Sequence, residues 1–264
     1  MRKYLVIGNP IEHSLSPQLH NYWIRQNNID AVYEKKKLDE TELKNLVLQI
    51  KEKKLNGANV TIPFKNTIIS YLDELSDEAE KTQSVNTLYV KDEKVVGHNT
   101  DIRGFEIAID KINFTLADKT AFILGAGGVV PSIIYSLIRM RVSKIIITNR
   151  TKAKAEELKK IFKNIEIVEW GDVPDFDIII NATSLGLKND DKIKLNFSNI
   201  EKNKLFYDII YNPSETNFLK IGKESGNKYE NGRLMFIYQA FLAFKLWHGI
   251  EPKINNEIIN LLKK

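Results

Sequence analysis

The segment TAFILGAGGVVP, at 120–131, decides the fold class of this chain of 264 residues. Its first five residues form an apolar run that predicts a buried strand, and the glycines after them predict a tight turn into a helix. Gly125 would permit the turn, and Gly127 would let the backbone approach a pyrophosphate at the N-terminus of the helix. This order of strand, glycine-rich turn and helix predicts a dinucleotide-binding unit.

The chain around this segment continues the alternation of strand and helix. Helices are predicted at 130–140 and 152–163, and further strands at 144–148, 165–169, 177–181 and 205–210. A βαβαβ succession of this kind is typical of a Rossmann-type domain.

The end of the second strand of this domain indicates which dinucleotide is bound. An acid there would hold the ribose 2′-hydroxyl of NAD, but the strand ends in Asn149-Arg150-Thr151, with Lys154 behind. An arginine fork matches a phosphate, so the segment favours NADP. A helix cap by Asn149 or Thr151, flanked by solvated cations, is the alternative interpretation.

The first hundred residues also alternate strand and helix. Helices are predicted at 17–27 and 40–53, and strands at 3–9, 32–38, 57–62, 85–90 and 94–100. The pattern suggests a mostly parallel sheet with a hairpin at one edge. A last, strongly apolar helix at 235–249 is expected to pack back onto this domain.

We therefore predict a two-domain α/β protein. A mixed-sheet α/β substrate domain would span 1–101 and be completed by C-terminal helices at 236–264. A Rossmann-type domain that binds NADP would span 102–235.

Composition narrows the choice of partners and compartment. The net charge is +5 and the pI about 9.0, but the lysines are spread along helices without a dense basic block, so solvated faces are favoured over a nucleic-acid site. Cysteine is absent, which excludes disulfides and thiolate chemistry and suits a reducing compartment. The N-terminal apolar run is too short for a signal sequence, and no apolar run approaches the length that spans a membrane. No two histidines have the spacing of metal ligands. We expect a cytoplasmic protein without a metal, nucleic acid or membrane.

Four polar clusters of the first domain lie at the ends of predicted strands or in the loops after them. They are HSLSP at 13–17, NVTIPFK at 59–65, SVNT at 84–87 and GHNTD at 97–101. Open α/β sheets bind ligands at this edge, so the four clusters together favour a polyhydroxy ligand. Taken singly, Lys65 could be a solvated residue, and Ser16 and Asp101 could be helix caps.

Taken together, these segments resemble the shikimate dehydrogenase family over essentially the full chain. The motifs, in order, are GNPIEHSLSPQLHN (8–21), NVTIPFK (59–65), SVNT (84–87), NTDIRGF (99–105), GAGG (125–128), NRT (149–151), NATSLGL (181–187), DIIYNPSET (208–216) and GRLMFIYQAFLAFKLWHG (232–249). The chain departs from the family at Gln83-Ser84, where Gly-Ala is usual, at Val130, where a small residue is usual, and at Asn217-Phe218, where Pro-Leu is usual. None of these departures touches the residues that the family uses for catalysis.

The resemblance implies an enzyme that reversibly reduces 3-dehydroshikimate to shikimate with NADPH, in chorismate and aromatic amino-acid biosynthesis. It implies that Lys65 and Asp101 form the catalytic pair, in which a lysine held beside a carboxylate delivers a proton to the carbonyl oxygen. The substrate-binding residues that we expect are Ser14, Ser16, Asn59, Thr61, Lys65, Asn86, Asp101, Tyr211 and Gln239. The cofactor-binding residues that we expect are Gly125, Ala126, Gly127, Gly128, Val129, Asn149, Arg150, Thr151, Lys154, Thr183, Ile209 and Gly232.

Two alternative functions remain open at this point. An NAD-dependent quinate/shikimate dehydrogenase is the first, and Arg150 in place of an acid speaks against it. A non-catalytic dinucleotide or quinate sensor is the second, and loss of Lys65 or Asp101 would favour it, although both are present. The expected partner is a small molecule, shikimate or 3-dehydroshikimate, and the expected state is a monomer or homodimer.

Overall fold

The chain divides into two compact units in a computed structural model that describes residues 1–188, 190–198 and 200–262. The first unit comprises Met1–Gly104 and the chain from Ile237 onward, and the second unit comprises Phe105–Phe236. The first unit is therefore discontinuous in sequence. Residues 263 and 264 of the predicted C-terminal segment lie outside the described residues.

The first unit is built on a mixed six-stranded sheet. Its strands are β1 (Arg2–Gly8), β2 (Ala31–Lys37), β3 (Gly57–Val60), β4 (Glu74–Leu75), β5 (Thr87–Lys91) and β6 (Lys94–His98). In the order β2-β1-β3-β5-β6-β4, the first three strands are parallel, β5 is antiparallel to both of its neighbours, and β4 is parallel to β6. The carboxyl ends of β1 and β3 therefore lie side by side.

Helices cover this sheet. They are α1 (Ser16–Gln26), α2 (Leu43–Lys51) and α3 (Asp77–Thr82), with 3-10 turns at Glu40–Glu42 and Thr67–Tyr71. Helix α4 (Thr100–Lys111) begins in this unit and continues into the second, where Phe105, Ala108 and Ile109 are part of the core. Helix α2 buries Leu43, Leu46, Val47 and Ile50, which recur at helical spacing along one face. Each such side chain contributes about 1.5–3 kcal/mol when it leaves water, so the apolar stripe holds α2 on the sheet.

The second unit carries a parallel six-stranded sheet. Its strands are β7 (Thr120–Leu124), β8 (Lys144–Thr148), β9 (Ile165–Ile167), β10 (Ile178–Asn181), β11 (Leu205–Asp208) and β12 (Lys228–Asn231). Its helices include α5 (Val130–Arg139), α6 (Lys152–Ile161) and α7 (Asn217–Glu224). Helix α8 (Arg233–His248) begins in this unit and continues into the first, which also contains α9 (Asn256–Leu261). The strand order β9-β8-β7-β10-β11-β12 is that of a Rossmann fold, with its switch point between β7 and β10. The predicted α/β class, with one mixed and one Rossmann-type sheet, is confirmed.

Several boundaries differ from the predicted ones. The strand predicted at 57–62 ends at Val60, because Phe64 N–H donates to the Thr61 carbonyl and closes a turn, and Ile62 is 52% exposed. The strand predicted at 94–100 ends at His98 because α4 begins at Thr100.

The predicted hairpin β5–β6 is not at the sheet edge, because β4 adds one more strand. With two residues, β4 is too short to show a period in the sequence. None of the helices that the structure describes combines the length and hydropathy needed to span a bilayer.

Candidate active site

A buried ion pair joins Lys65 to Asp101. The turn after β3 carries Lys65, and its Nζ lies 2.5 Å from Asp101 Oδ2 in the first turn of α4. Only 10% of the lysine side chain and 7% of the aspartate side chain are exposed. The alternative in which Lys65 is a solvated residue is therefore wrong. The positive end of the α4 macrodipole also favours a carboxylate at Asp101.

Two buried asparagines lie beside this pair. Asn86 Nδ2 donates to Asp101 Oδ1 at 2.9 Å, and Asn59 Nδ2 donates to the Asn86 carbonyl oxygen at 3.0 Å. Thr61 follows β3 directly and is half-buried. The carboxylate of Asp101 thus receives hydrogen bonds from both Lys65 and Asn86, which fixes its two oxygens.

Two serine hydroxyls lie at the start of α1. Ser16 is buried and begins the helix, with Leu15 at the N-cap, so Ser16 does not cap α1. Ser16 N–H donates to Ser14 Oγ at 3.4 Å. The first turn of α1 contains no acidic residue, so this helix start suits an anionic group such as a carboxylate.

Gln239 lies beside the same turn of α4 that carries Asp101. A Cβ at Gly104 would come within 2.9 Å of the Gln239 backbone nitrogen, so a glycine is required at position 104 for this close approach. Gln239 is half-buried.

The glycine-rich turn of the second unit has the shape that a phosphate requires. Gly125 has φ +108°, and a Cβ there would lie 2.8 Å from the Ala182 carbonyl oxygen. Around Gly127 the nearest atom to an added Cβ is 3.9 Å away, and Gly127 and Gly128 are exposed, so the backbone is open to a ligand at the start of α5. These residues fit a dinucleotide pyrophosphate. Val130 is fully buried, so the core accepts valine at this position.

The segment after β8 presents exposed cationic groups. Arg150 and Lys154 are exposed, whereas Lys152 is paired with Glu169. Asn149 Nδ2 donates to the Thr151 carbonyl oxygen at 2.8 Å, and Thr151 occupies the N-cap of α6 without a side-chain capping bond. The arrangement leaves the Arg150 guanidinium available for a 2′-phosphate.

A network that the sequence reasoning missed holds the loops after β10 and β11. Asn181 Nδ2 donates to Asp208 Oδ1 at 3.1 Å, and Thr216 Oγ donates to Asp208 Oδ2 at 2.6 Å. Asn181 Oδ1 in turn accepts from the N–H and the hydroxyl of Thr183. Burial raises the pKa of Asp208 to about 6. The signal was present, because Asn181 and Asp208 open the two motifs NATSLGL and DIIYNPSET.

The loop after β11 places the remaining expected residues of the second unit. The Tyr211 ring stacks on Phe236, with centroids 4.4 Å apart and planes at 22°. Position 232 requires glycine, because a Cβ there would lie 2.1 Å from the Ile209 carbonyl oxygen. Ile209, Tyr211 and Gly232 are therefore within one small region of this unit.

A Rossmann-type unit with an open glycine turn, joined in one chain to an α/β unit with a buried lysine–aspartate pair, defines a nicotinamide-dinucleotide-dependent oxidoreductase. Family models agree over most of the chain: the shikimate dehydrogenase substrate binding domain matches residues 6–88, shikimate/quinate 5-dehydrogenase matches 106–213, and the shikimate 5′-dehydrogenase C-terminal domain matches 232–255. The chain belongs to the shikimate dehydrogenase family.

Individual relatives are similar over the whole length. The shikimate dehydrogenase (NADP(+)) of Pelagibacter ubique (strain HTCC1062) is 55% identical over 261 residues, which cover 99% of this chain and 98% of the relative. A crystal structure of a shikimate dehydrogenase in complex with NADP+ is 35% identical with a TM-score of 0.93, covering 100% of this chain and 96% of the other. The shikimate 5-dehydrogenase of Listeria monocytogenes, solved in complex with shikimate and NAD, is 29% identical with a TM-score of 0.91, covering 99% and 96%.

Proposed function

We propose that this chain catalyses the reversible NADPH-dependent reduction of 3-dehydroshikimate to shikimate, a step of chorismate and aromatic amino-acid biosynthesis. The observation that carries the proposal is the buried Lys65–Asp101 pair, in a chain that belongs to the shikimate dehydrogenase family. The first unit would bind the substrate, and the second would bind NADP.

NADPH supplies the hydride when it is bound, and the chain supplies the proton. The Lys65 ammonium lies in a site shielded from water, where it can donate a proton to the carbonyl oxygen as charge develops there. Asp101 fixes the ammonium and stabilises its charge, and it offers an acceptor for a substrate hydroxyl. In the reverse direction the same lysine accepts the proton.

Recognition of the substrate is assigned to the polar groups around this pair. Ser14 and Ser16 would donate to the carboxylate at the start of α1, where the helix terminus favours an anion. Asn59, Thr61, Asn86 and Gln239 of the first unit would bind the hydroxyls and the ring. Tyr211 of the second unit is a further proposed substrate-binding residue.

Recognition of NADP is assigned to the second unit. The open turn at 125–129 would hold the pyrophosphate, and Arg150, with Asn149, Thr151 and Lys154, would hold the 2′-phosphate. Thr183, Ile209 and Gly232 would lie along the nicotinamide half of the cofactor.

The alternatives have less support. An exposed Arg150 without an acid after β8 disfavours NAD, and the intact Lys65–Asp101 pair disfavours a non-catalytic sensor. The biosynthetic reaction of the family supports the proposed cytoplasmic location. A small-molecule substrate is the proposed partner, and a monomer or homodimer the proposed state.

The proposal is tested by assaying the purified protein with shikimate and with quinate, each with NADP+ and with NADP-free NAD+. We expect kcat/KM for shikimate with NADP+ to exceed the other three combinations by at least about tenfold. A preference for quinate with NAD+ would establish the first alternative. Tight cofactor or quinate binding without turnover in any combination would establish the sensor.

A further inference from the structure

We propose that Thr87 is a positioning residue for the reaction, because its hydroxyl holds the Asn86 amide against the catalytic carboxylate of Asp101. Thr87 is fully buried at the start of β5 and is absent from the expected site residues. This role rests on the proposed function, since it takes Asp101 as half of the catalytic pair.

Four hydrogen bonds run in series through the first unit and end at Asp101. The Tyr33 hydroxyl is 2.7 Å from Asn59 Oδ1, and Asn59 Nδ2 is 3.0 Å from Thr87 Oγ1. Thr87 Oγ1 is 2.9 Å from Asn86 Oδ1, and Asn86 Nδ2 is 2.9 Å from Asp101 Oδ1. All five residues are buried, so the series is shielded from water.

Two backbone groups fix the orientation of both asparagine amides in the series. Asn59 Nδ2 donates to the Asn86 carbonyl oxygen at 3.0 Å, and a carbonyl can only accept, so Asn59 Oδ1 must accept from Tyr33. Thr100 N–H donates to Asn86 Oδ1 at 2.8 Å, so Asn86 Nδ2 must face Asp101. The Thr87 hydroxyl accepts from Asn59 and has a single proton, which it donates to Asn86 Oδ1 at 2.9 Å, since Thr100 Oγ1 is farther away at 3.4 Å.

Every bond therefore donates toward Asp101, and Thr87 is the central link. Hydrogen bonds in series polarise one another at low dielectric, so the series strengthens the Asn86–Asp101 bond. Burial raises the pKa of Tyr33 well above its usual value, which keeps the first donor protonated. His20 stacks on Tyr33 at 4.1 Å, and burial lowers its pKa to about 3, so the Tyr33 ring packs against a neutral imidazole.

Loss of the Thr87 hydroxyl should remove one hydrogen bond to the Asn86 side chain and leave its other hydrogen bonds in place. Asn86 Oδ1 also accepts from the Thr100 backbone and from Thr100 Oγ1, at 2.8 and 3.1 Å. The Asn86 amide then keeps its place but its bond to Asp101 is less well fixed. We expect an effect on kcat, where the charge of the pair matters most, and little effect on substrate affinity.

Two variants of Thr87 separate positioning from packing. Thr87→Val keeps the shape and removes the hydroxyl, whereas Thr87→Ser keeps the hydroxyl and removes the methyl group. We expect Thr87→Val to lower kcat by about threefold to tenfold, the loss of one hydrogen bond, and to change KM and the shikimate Kd by less than about twofold. Thr87→Ser should retain kcat within about twofold. A packing role predicts the reverse order, and that result would overturn the proposal.

A double-mutant cycle with Asn86→Ala tests whether Thr87 acts through Asn86. Thr87→Val should lower kcat in the wild-type background and by less than about twofold in the Asn86→Ala background. Equal losses in both backgrounds, or wild-type kcat in Thr87→Val, would overturn the proposal. If Thr87→Val does not fold, Thr87→Ala against Thr87→Ser makes the same comparison. The wild-type rate with shikimate and NADP+ tests the proposed function on its own. Failure of the dehydrogenase assignment can therefore be told apart from failure of the role proposed for Thr87.

Discussion

Lys65 Nζ and Asp101 Oδ2 lie 2.5 Å apart, although the two residues are 36 positions apart in sequence. At most a tenth of either side chain is exposed to solvent. Lysine and aspartate are almost never buried unless they are paired. The free-energy cost of desolvating two charges often exceeds what their mutual attraction contributes to folding. The burial of this pair therefore favours a chemical role over a stabilising one.

Replacement of Lys65 should remove the chemical step and leave binding largely intact. We expect Lys65→Ala to lower kcat by about 10²–10⁴, the range for a positioned acid–base group, which corresponds to about 3–5 kcal/mol of transition-state stabilisation. Asp101→Asn should also lower kcat, and the double variant should lose less than the product of the two factors, because the residues act as a unit. Steady-state kinetics on variants checked by circular dichroism give the answer.

Lys204→Ala is the matched control, because Lys204 is also 8% exposed and ion-paired, to Asp175, but belongs to neither proposed site. It should lose thermal stability and keep kcat. If Lys65→Ala retained near wild-type kcat, Lys65 would not be the acid.

Replacement of Ser16 should act on binding. Ser16→Ala removes one proposed hydrogen bond to the substrate carboxylate, and a hydrogen bond to a charged group contributes about 1.5–3 kcal/mol, so KM for shikimate should rise by about tenfold or more. The fall in kcat should be smaller, as expected for an interaction made equally in the ground state and the transition state. A loss of kcat alone would place Ser16 in the chemistry.

The sequence predicted the structural features that depend on a single strand, turn or helix. The apolar run at 120–124 and its glycines predicted β7, the turn and α5 almost to the residue, because strand period, glycine conformation and helix start are local properties. The Lys65–Asp101 contact came from the family resemblance, since no local property brings together residues from a turn and a helix.

What the sequence did not predict depends on tertiary contacts. The two-residue strand β4 exists only because β6 offers it a partner. Thr87 and Asp208 were not predicted as site residues. Threonine is common in strands because it is β-branched, and aspartate is common in the turns that follow strands. Their burial and their hydrogen-bond partners, which come from distant segments, reveal their importance.

Replacement of Arg150 should discriminate between the two dinucleotides. Arg150→Ala should weaken NADP binding by about 1.5–3 kcal/mol, the contribution of a hydrogen bond to a charged group, and leave NAD binding nearly unchanged. Kd values for both cofactors, from fluorescence titration, provide the measurement. Lys152→Ala removes the same charge from the same segment, but Lys152 is already paired with Glu169, so its effect on NADP should be much smaller. Equal losses for NADP and NAD would refute the 2′-phosphate assignment.

Asp208 should make the stability of the protein depend on pH between about 4 and 6. Burial raises its pKa from 3.8 to about 6, so the folded chain binds a proton that the unfolded chain has released over this interval. The stabilisation is therefore fully present below pH 4 and is lost as pH rises through 6, by up to about 3 kcal/mol in all.

Asp208→Asn removes this titration while keeping a side chain of the same size. The difference in Tm between Asp208→Asn and wild type should therefore shift in favour of the variant by several degrees between pH 4 and pH 7.5, as thermal unfolding followed by circular dichroism would measure. Asp172→Asn alters the same charge at an exposed position, and its Tm difference from wild type should be the same at both pH values. If the Asp208→Asn difference were also constant, the Asp208 carboxylate would be ionised in the folded chain throughout this range, and the three donors from Asn181, Thr216 and the Ile210 backbone would outweigh its burial.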